Sequence, residues 1–177
     1  MNLTEHLSDA NRGTYLEVKG RPALRFRRNY PHPVERVWAA VSTPAGLKNW
    51  FPGQVTLEPW VDGAMTFDMD PNAPAGTGKV LTWQPPTRFS FTWHDDEVHL
   101  TLEADGSNCV FTLTNVLSEK DGAARNGAGW SVCLGELTRH LDGVPGTDPN
   151  EAGTDLWQPL FEAYAAAGLP SGATLPS

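Results

Sequence analysis

Leu24, Phe26, Arg28 and Tyr30 alternate with Arg25, Arg27 and Asn29. That period of two is the signature of a strand with one buried face. The same alternation returns further along the chain. It runs over Ala64 to Met69, with Met65, Phe67 and Met69 on one face, and over Arg88 to His94, with Phe89, Phe91 and Trp93 together. Val55 to Trp60, before the turn pair Asp62-Gly63, and Gly78 to Gln84, which stops at Pro85-Pro86, are further short strands bounded by turn residues. Glu97 to Ala104 aligns Val98, Leu100 and Leu102, and Cys109 to Val116 aligns Cys109, Phe111, Leu113 and Asn115. Short strands joined by tight turns predict an antiparallel meander.

Elsewhere the period lengthens to that of a helix. Val34, Val37, Trp38 and Val41 form a stripe after Pro33, which suits a first helical position. Thr43-Pro44 ends that helix, and a second short one runs from Pro44 to about Trp50. It delivers two large aromatics, Trp50 and Phe51, to the Pro52-Gly53 turn, either as a plug in the core or as a gate at a cavity mouth. A long helix is predicted from about Arg125 to Leu141, with Trp130, Cys133, Leu134, Leu137 and Leu141 on one face and Gly143 as its stop. The order strand, two helices, six strands, long helix reads as α+β, a curved antiparallel sheet with the long helix across its concave side. Residues 1–14 read as a polar leader, 15–143 as the domain, and 144–177 as a linker and tail. The tail carries one more helix, Leu156 to Ala167, with Pro159 in its first turn. The opposite face of the long helix bears Ala128, Ser131 and Gly135, small enough to admit the tail or a second subunit. Docking of the tail helix there is the expectation; a tolerated surface glycine is the alternative.

Composition narrows the partners. The chain has 177 residues, 40% hydrophobic and 19% charged, with a net charge of −8. A nucleic-acid backbone is disfavoured as a partner, because the only basic cluster is Arg25, Arg27 and Arg28. No apolar run is long enough to span a bilayer. The first residues lack a basic stretch followed by an apolar one, and the two cysteines stand far apart with no C-x-x-C, so a reducing cytoplasm is expected.

Candidate chemistry is sparse. HDDEVH, His94 to His99, holds two imidazoles and three carboxylates, but the odd spacing parts the histidines, and Asp95-Asp96 reads as a solvated hairpin tip. Cys109 and Cys133 fall on inward faces, where cysteine serves as a small hydrophobe. No hydrolase elbow, zinc-protease helix, phosphate loop or dinucleotide fingerprint occurs. No metal or cofactor is expected.

Three segments carry a resemblance. RRNYPHPVERVWAAVSTPAGLKNWF from Arg27, GKVLTWQPPTRFSFTW from Gly78 and GAGWSVCLGELTRHLDG from Gly127 are similar, in order and spacing, to one family. It is the branch of the START-like (Bet v 1-like, SRPBCC) superfamily made up of homologues of the activator of the heat-shock-protein-90 ATPase. The likeness covers roughly residues 22–143. It implies a helix-grip fold, in which a sheet of about six or seven strands curves around the long helix and leaves an apolar tunnel between them. It also implies functions as varied as binding of lipids, sterols or aromatic polyketides, cyclisation, and co-chaperone contacts, so the fold alone is a weak guide.

On that frame the candidate lining is Phe67, Met69, Phe89, Phe91, Trp93, Phe111 and Leu113, facing Trp130, Leu134 and Leu137, with Trp50 and Phe51 at the mouth. Such a face is equally a ligand site and a core. Arg28 and Asn115 share its parity. A buried guanidinium needs a partner, and Asp68, Asp70, Glu58 or a ligand carboxylate could supply it. Asn115 serves as a ligand anchor or as a turn cap. The leading functional expectation is non-catalytic binding of a small, mostly apolar ligand. The alternatives are an interaction role, with a protein partner or a second copy of the chain, and a cyclase-like or hydrolytic accessory enzyme.

Overall fold

The structure is a computed structural model that describes residues 1–146, 148–152 and 155–173. Parts of the expected linker and the end of the tail lie outside the described residues.

Among the described residues eight strands form one antiparallel sheet. They are β1 (Thr14–Val18), β2 (Arg21–Tyr30), β3 (Gln54–Leu57), β4 (Ala64–Asp68), β5 (Gly76–Gln84), β6 (Arg88–Trp93), β7 (Asp96–Asp105) and β8 (Asn108–Val116). Their order is β1-β2-β8-β7-β6-β5-β4-β3, a meander from β3 to β8 that closes on the first hairpin. β1 lies outside the alternating pattern, because an edge strand with no fully buried position shows little of it. Lys19 (φ 50°) and Gly20 (φ 78°) make the tight turn into β2.

The helices follow the apolar stripes. A one-turn helix α1 (Leu3–His6) opens the leader. Next come α2 (Val34–Ser42) and α3 (Pro44–Leu47). Thr43 is extended at their junction and accepts a 3.0 Å bond from the Gly46 amide, which fixes the kink. The long helix α4 (Ala123–Leu141) lies across the sheet, followed by a short α5 (Pro149–Ala152) and α6 (Trp157–Ala166).

α4 is buried on two sides. Trp130, Leu134 and Leu137 join the main core, with Phe26, Phe89, Phe111 and Leu113 of the sheet. Ala128 and Val132 join a second core with Leu160 and Tyr164 of α6. Small residues let α6 approach: the Tyr164 ring packs on Gly127, and its hydroxyl lies 2.8 Å from Ser131 Oγ. The same hydroxyl accepts a 2.8 Å bond from the Gly13 amide, which ties the leader to the tail. Gly135 belongs to the leader instead. A Cβ there would lie 2.8 Å from the His6 ring, so the small-residue face serves α6 at one end and α1 at the other.

Candidate functional site

Phe51 is the hub of the space between sheet and long helix. It follows α3, with its amide on the Leu47 carbonyl at 2.8 Å. Its ring meets Trp50, Phe67, Phe91, Trp93 and Trp130 at centroid distances of 5.0–6.3 Å. Phe67 and Phe91 come from β4 and β6, Trp93 from the end of β6, and Trp130 from α4. The rings continue along the sheet through Phe89 and Trp83 to Trp38 of α2. Trp50 is 1% exposed, and its Nε1 donates to the Ala40 carbonyl at 3.0 Å. Rings therefore occupy the place where a tunnel was expected, and both mouth aromatics are core residues in this conformation. Phe111, Leu113 and Leu134 are buried in the same core, beyond the ring cluster.

Met69 corrects the expected lining. β4 ends at Asp68, and Met69 follows in a left-handed conformation (φ 58°), so the alternation breaks and the side chain is 75% exposed. Asp70, beside it, is half-buried, and burial raises its carboxyl above the usual range, with Asn72 and His94 opposing that.

Asn115 is fully buried, with every hydrogen-bonding position used. Its Nδ2 donates to Asp96 Oδ2 at 3.1 Å and to the Glu97 carbonyl at 3.3 Å. Its Oδ1 accepts from Trp130 Nε1 at 3.0 Å and from Asn126 Nδ2 at 3.2 Å. The residue clamps α4 to the β7–β8 end of the sheet and has no donor or acceptor left for a ligand. Asp96 is correspondingly not a solvated tip: it bonds Asn115, Asn126 and Ser118.

Arg28 is buried as its parity predicts, yet on the other flank of α4. Its electrostatic neighbours are Tyr30, Tyr164 and His6, none of them in the ring cluster. None of the expected acids reaches it. Nη1 donates to the neighbouring Arg27 carbonyl at 3.0 Å, and the guanidinium lies 5.9 Å from the Phe26 centroid. Arg28 and Asn115 are therefore not brought together, because they sit at opposite ends of the β2–β8 pairing.

The remaining titratable groups are local. His99 Nε2 lies 2.8 Å from Glu97, whose carboxyl is held below its usual range first by that contact and then by the charges of His99 and Arg21. His94 instead turns onto Gly76, near Phe67 and Trp93. Burial raises both thiols, Cys133 strongly, and both cysteines are free. Among the described residues no group of three or more His, Cys, Asp or Glu could hold a metal ion, and no helix is long and apolar enough to cross a membrane.

The family described as Activator of Hsp90 ATPase homolog 1-like protein matches residues 31–142, from the end of β2 to the end of α4. The chain belongs to this family. Its matched segment contains the whole ring cluster and the Asn115 clamp, and leaves out α1, β1 and α6. Among solved structures, CalU16 from Micromonospora echinospora is similar over 87% of this chain and 94% of its own, at 24% identity and a TM-score of 0.66. EF2215 from Enterococcus faecalis, a conserved protein of unknown function, is similar over 85% and 91%, at 18% identity and a TM-score of 0.62. DynU16, a putative protein in the dynemicin biosynthetic locus, is similar over 71% of this chain and 50% of its own, at 24% identity and a TM-score of 0.62. These likenesses establish the helix-grip fold. None of the curated proteins matches the chain.

Proposed function

We propose that this family member is a non-catalytic binding protein that takes up a small, mostly apolar molecule between the sheet and α4. One observation carries the reading. The hub of the aromatic cluster, Phe51, stands on neither sheet nor long helix but on the short segment after α3. Movement of that segment would uncover a wall made by Phe67, Phe91, Trp93 and Trp130 while the sheet and the Asn115 clamp stay in place. An apolar wall of aromatic rings with few polar groups suits a planar, largely hydrocarbon ligand. Asn115 is saturated and Arg28 lies elsewhere, so the two polar groups that share the parity of this face do not converge on the ring cluster. The setting we infer is a reducing cytoplasm, in which two buried thiols remain free.

The test is a thermal-shift titration with planar aromatic and polycyclic compounds, combined with amide chemical-shift mapping. Binding predicts a saturable rise in Tm and the largest shifts at residues 44–53. A rise in Tm with shifts confined to the outer surface would overturn the interior site.

A second reading rests on an exposed apolar patch. Trp60 and Val61 are 54% and 55% exposed, at a turn held against β5 through the Asp62 amide and the Val80 carbonyl. Such a patch fits a protein contact. Sedimentation of the wild type and of Trp60→Ser tests for a second copy: a concentration-dependent dimer that the variant abolishes supports it, and identical monomers remove it.

A further inference from the structure

A charged side chain is enclosed on the opposite flank of α4, away from the proposed apolar site. Arg28 is 5% exposed, and its Nε and Nη2 have no partner among the described residues. These two nitrogens lie on one edge of the guanidinium, the edge that receives two oxygens of a carboxylate or phosphate side by side. The group keeps its charge in a protein interior, and the Phe26 ring at 5.9 Å only partly offsets a missing counter-ion. Two further buried polar atoms without a partner belong to the same region. One is the Tyr30 hydroxyl, which has Arg28 and Thr138 as neighbours but makes no hydrogen bond of standard geometry. The other is His6 Nδ1, on α1.

The cover over this region is slight. α1 is a single turn, and its His6 ring rests on the bare backbone of Gly135. Outside His6 a cavity of about 180 Å³ extends to Val132, Glu136 and Arg139. Met1 also lines that outer space, and Glu136 turns a carboxylate toward it, with Arg139 Nε 4.0 Å away. On the inner side Arg28 remains the buried cation with two nitrogens free of any hydrogen bond, and its charge acts on His6.

We propose that Arg28 anchors an oxyanion-binding site beneath α1, with the Nε–Nη2 edge gripping two oxygens of a carboxylate or phosphate, the Tyr30 hydroxyl beside it, and α1 with His6 as the removable cover. The ligand chemistry is a single oxyanion group, supplied either as a free inorganic ion or as the acidic head of an apolar chain. The site is independent of the ring cluster, so either can fail while the other stands.

The experiment uses the full chain in a chloride buffer. Inorganic phosphate and decanoate are titrated separately, with Tm and the Arg28 Nε–Hε resonance as readouts. The expected result is a saturable rise in Tm of roughly 5–10 °C at a hundredfold excess over Kd. The Arg28 resonance should move in step with it. A response to both probes assigns the site to the oxyanion alone; a response to decanoate only assigns it to an acidic lipid-like molecule. Arg28→Met should melt at or above the wild type without either probe, since it removes an unpaired buried charge, and should lose the response. Arg28→Lys, a point charge without the fork, should weaken binding at least tenfold. An Arg28 resonance unmoved by both probes, or a response that survives in Arg28→Met, overturns the proposal. If Arg28→Met does not fold, the wild-type resonance alone decides.

Discussion

Replacing Phe51 with alanine removes the one ring that touches five others. Phe51 is 3% exposed, and its partners belong to β4, β6, α4 and the α3 segment itself. Each such pair contributes about 0.5–1.5 kcal/mol beyond burial, but the pairs share one ring and do not add. The usual range for a core Phe→Ala change, about 3–5 kcal/mol, is the better guide. For a chain of this length that lowers Tm by about 6–20 °C. The wall rings are held by sheet and helix, so the space left should persist rather than collapse. A dry apolar cavity of about 150 Å³ is known to admit benzene. Saturating benzene or indole should therefore restore a substantial part of the lost Tm in Phe51→Ala and do less for the wild type. The assay is calorimetry of both proteins with and without the probe. Phe51→Leu, which keeps bulk but loses the ring, should cost about 1.5 kcal/mol or less. A loss below about 1 kcal/mol in Phe51→Ala would refute the hub assignment. A full loss with no rescue by either probe would refute the persistent wall.

The other predictions concern the clamp, the leader and the helix glycines. Asn115→Leu leaves Trp130 Nε1 and Asn126 without their acceptor, and urea denaturation should show a loss of about 3 kcal/mol or more. Gly135→Ala forces a Cβ to 2.8 Å from the His6 ring, so it should lower Tm by several degrees, at a cost of about 1–3 kcal/mol. Gly129→Ala, with open space around the new methyl, should raise stability by about 0.4–1 kcal/mol in the same melting assay. Burial, then the amino terminus and Arg28, lower His6 from 6.5 to about 4, with Glu5 opposing. The unfolded chain then binds more protons, so His6 makes stability fall as pH drops from about 6.5 to about 4. The difference in Tm between wild type and His6→Gln, followed across that window, should shrink toward acid; a constant difference would mean that His6 is not buried neutral.

Much of this arrangement is visible in the sequence. The alternation at Leu24 to Tyr30 and Cys109 to Asn115 marks the inward faces, and the stripe from Trp130 to Leu141 marks the helix that covers them. Periodicity assigns a side chain to a face, but not to a filled or an empty space. Phe51 therefore reads equally as plug and gate until its five neighbours are known. Met69 reads as inward only when the period is carried one residue past the end of β4 at Asp68, because nothing in the alternation marks the left-handed turn at Met69. The missing acid at Arg28 is a matter of long-range placement: Glu58, Asp68 and Asp70 are near β3 and β4, at the far end of the sheet order from β2. His6 gave no signal at all, a lone histidine in a polar leader whose seat is a glycine far along the chain. The tail was more legible, because Leu160 and Tyr164 share a helical face that needs small residues opposite it.

Native mass spectrometry of freshly purified protein, followed by denaturing extraction and identification of small molecules, tests the central claim most directly. The account predicts a compound that co-purifies with the chain, is mostly apolar, and is lost when Phe67 or Trp93 on the wall is replaced by a charged residue in a variant that still folds. A chain that carries nothing, and takes up none of the planar aromatic probes at saturating concentration, would contradict it.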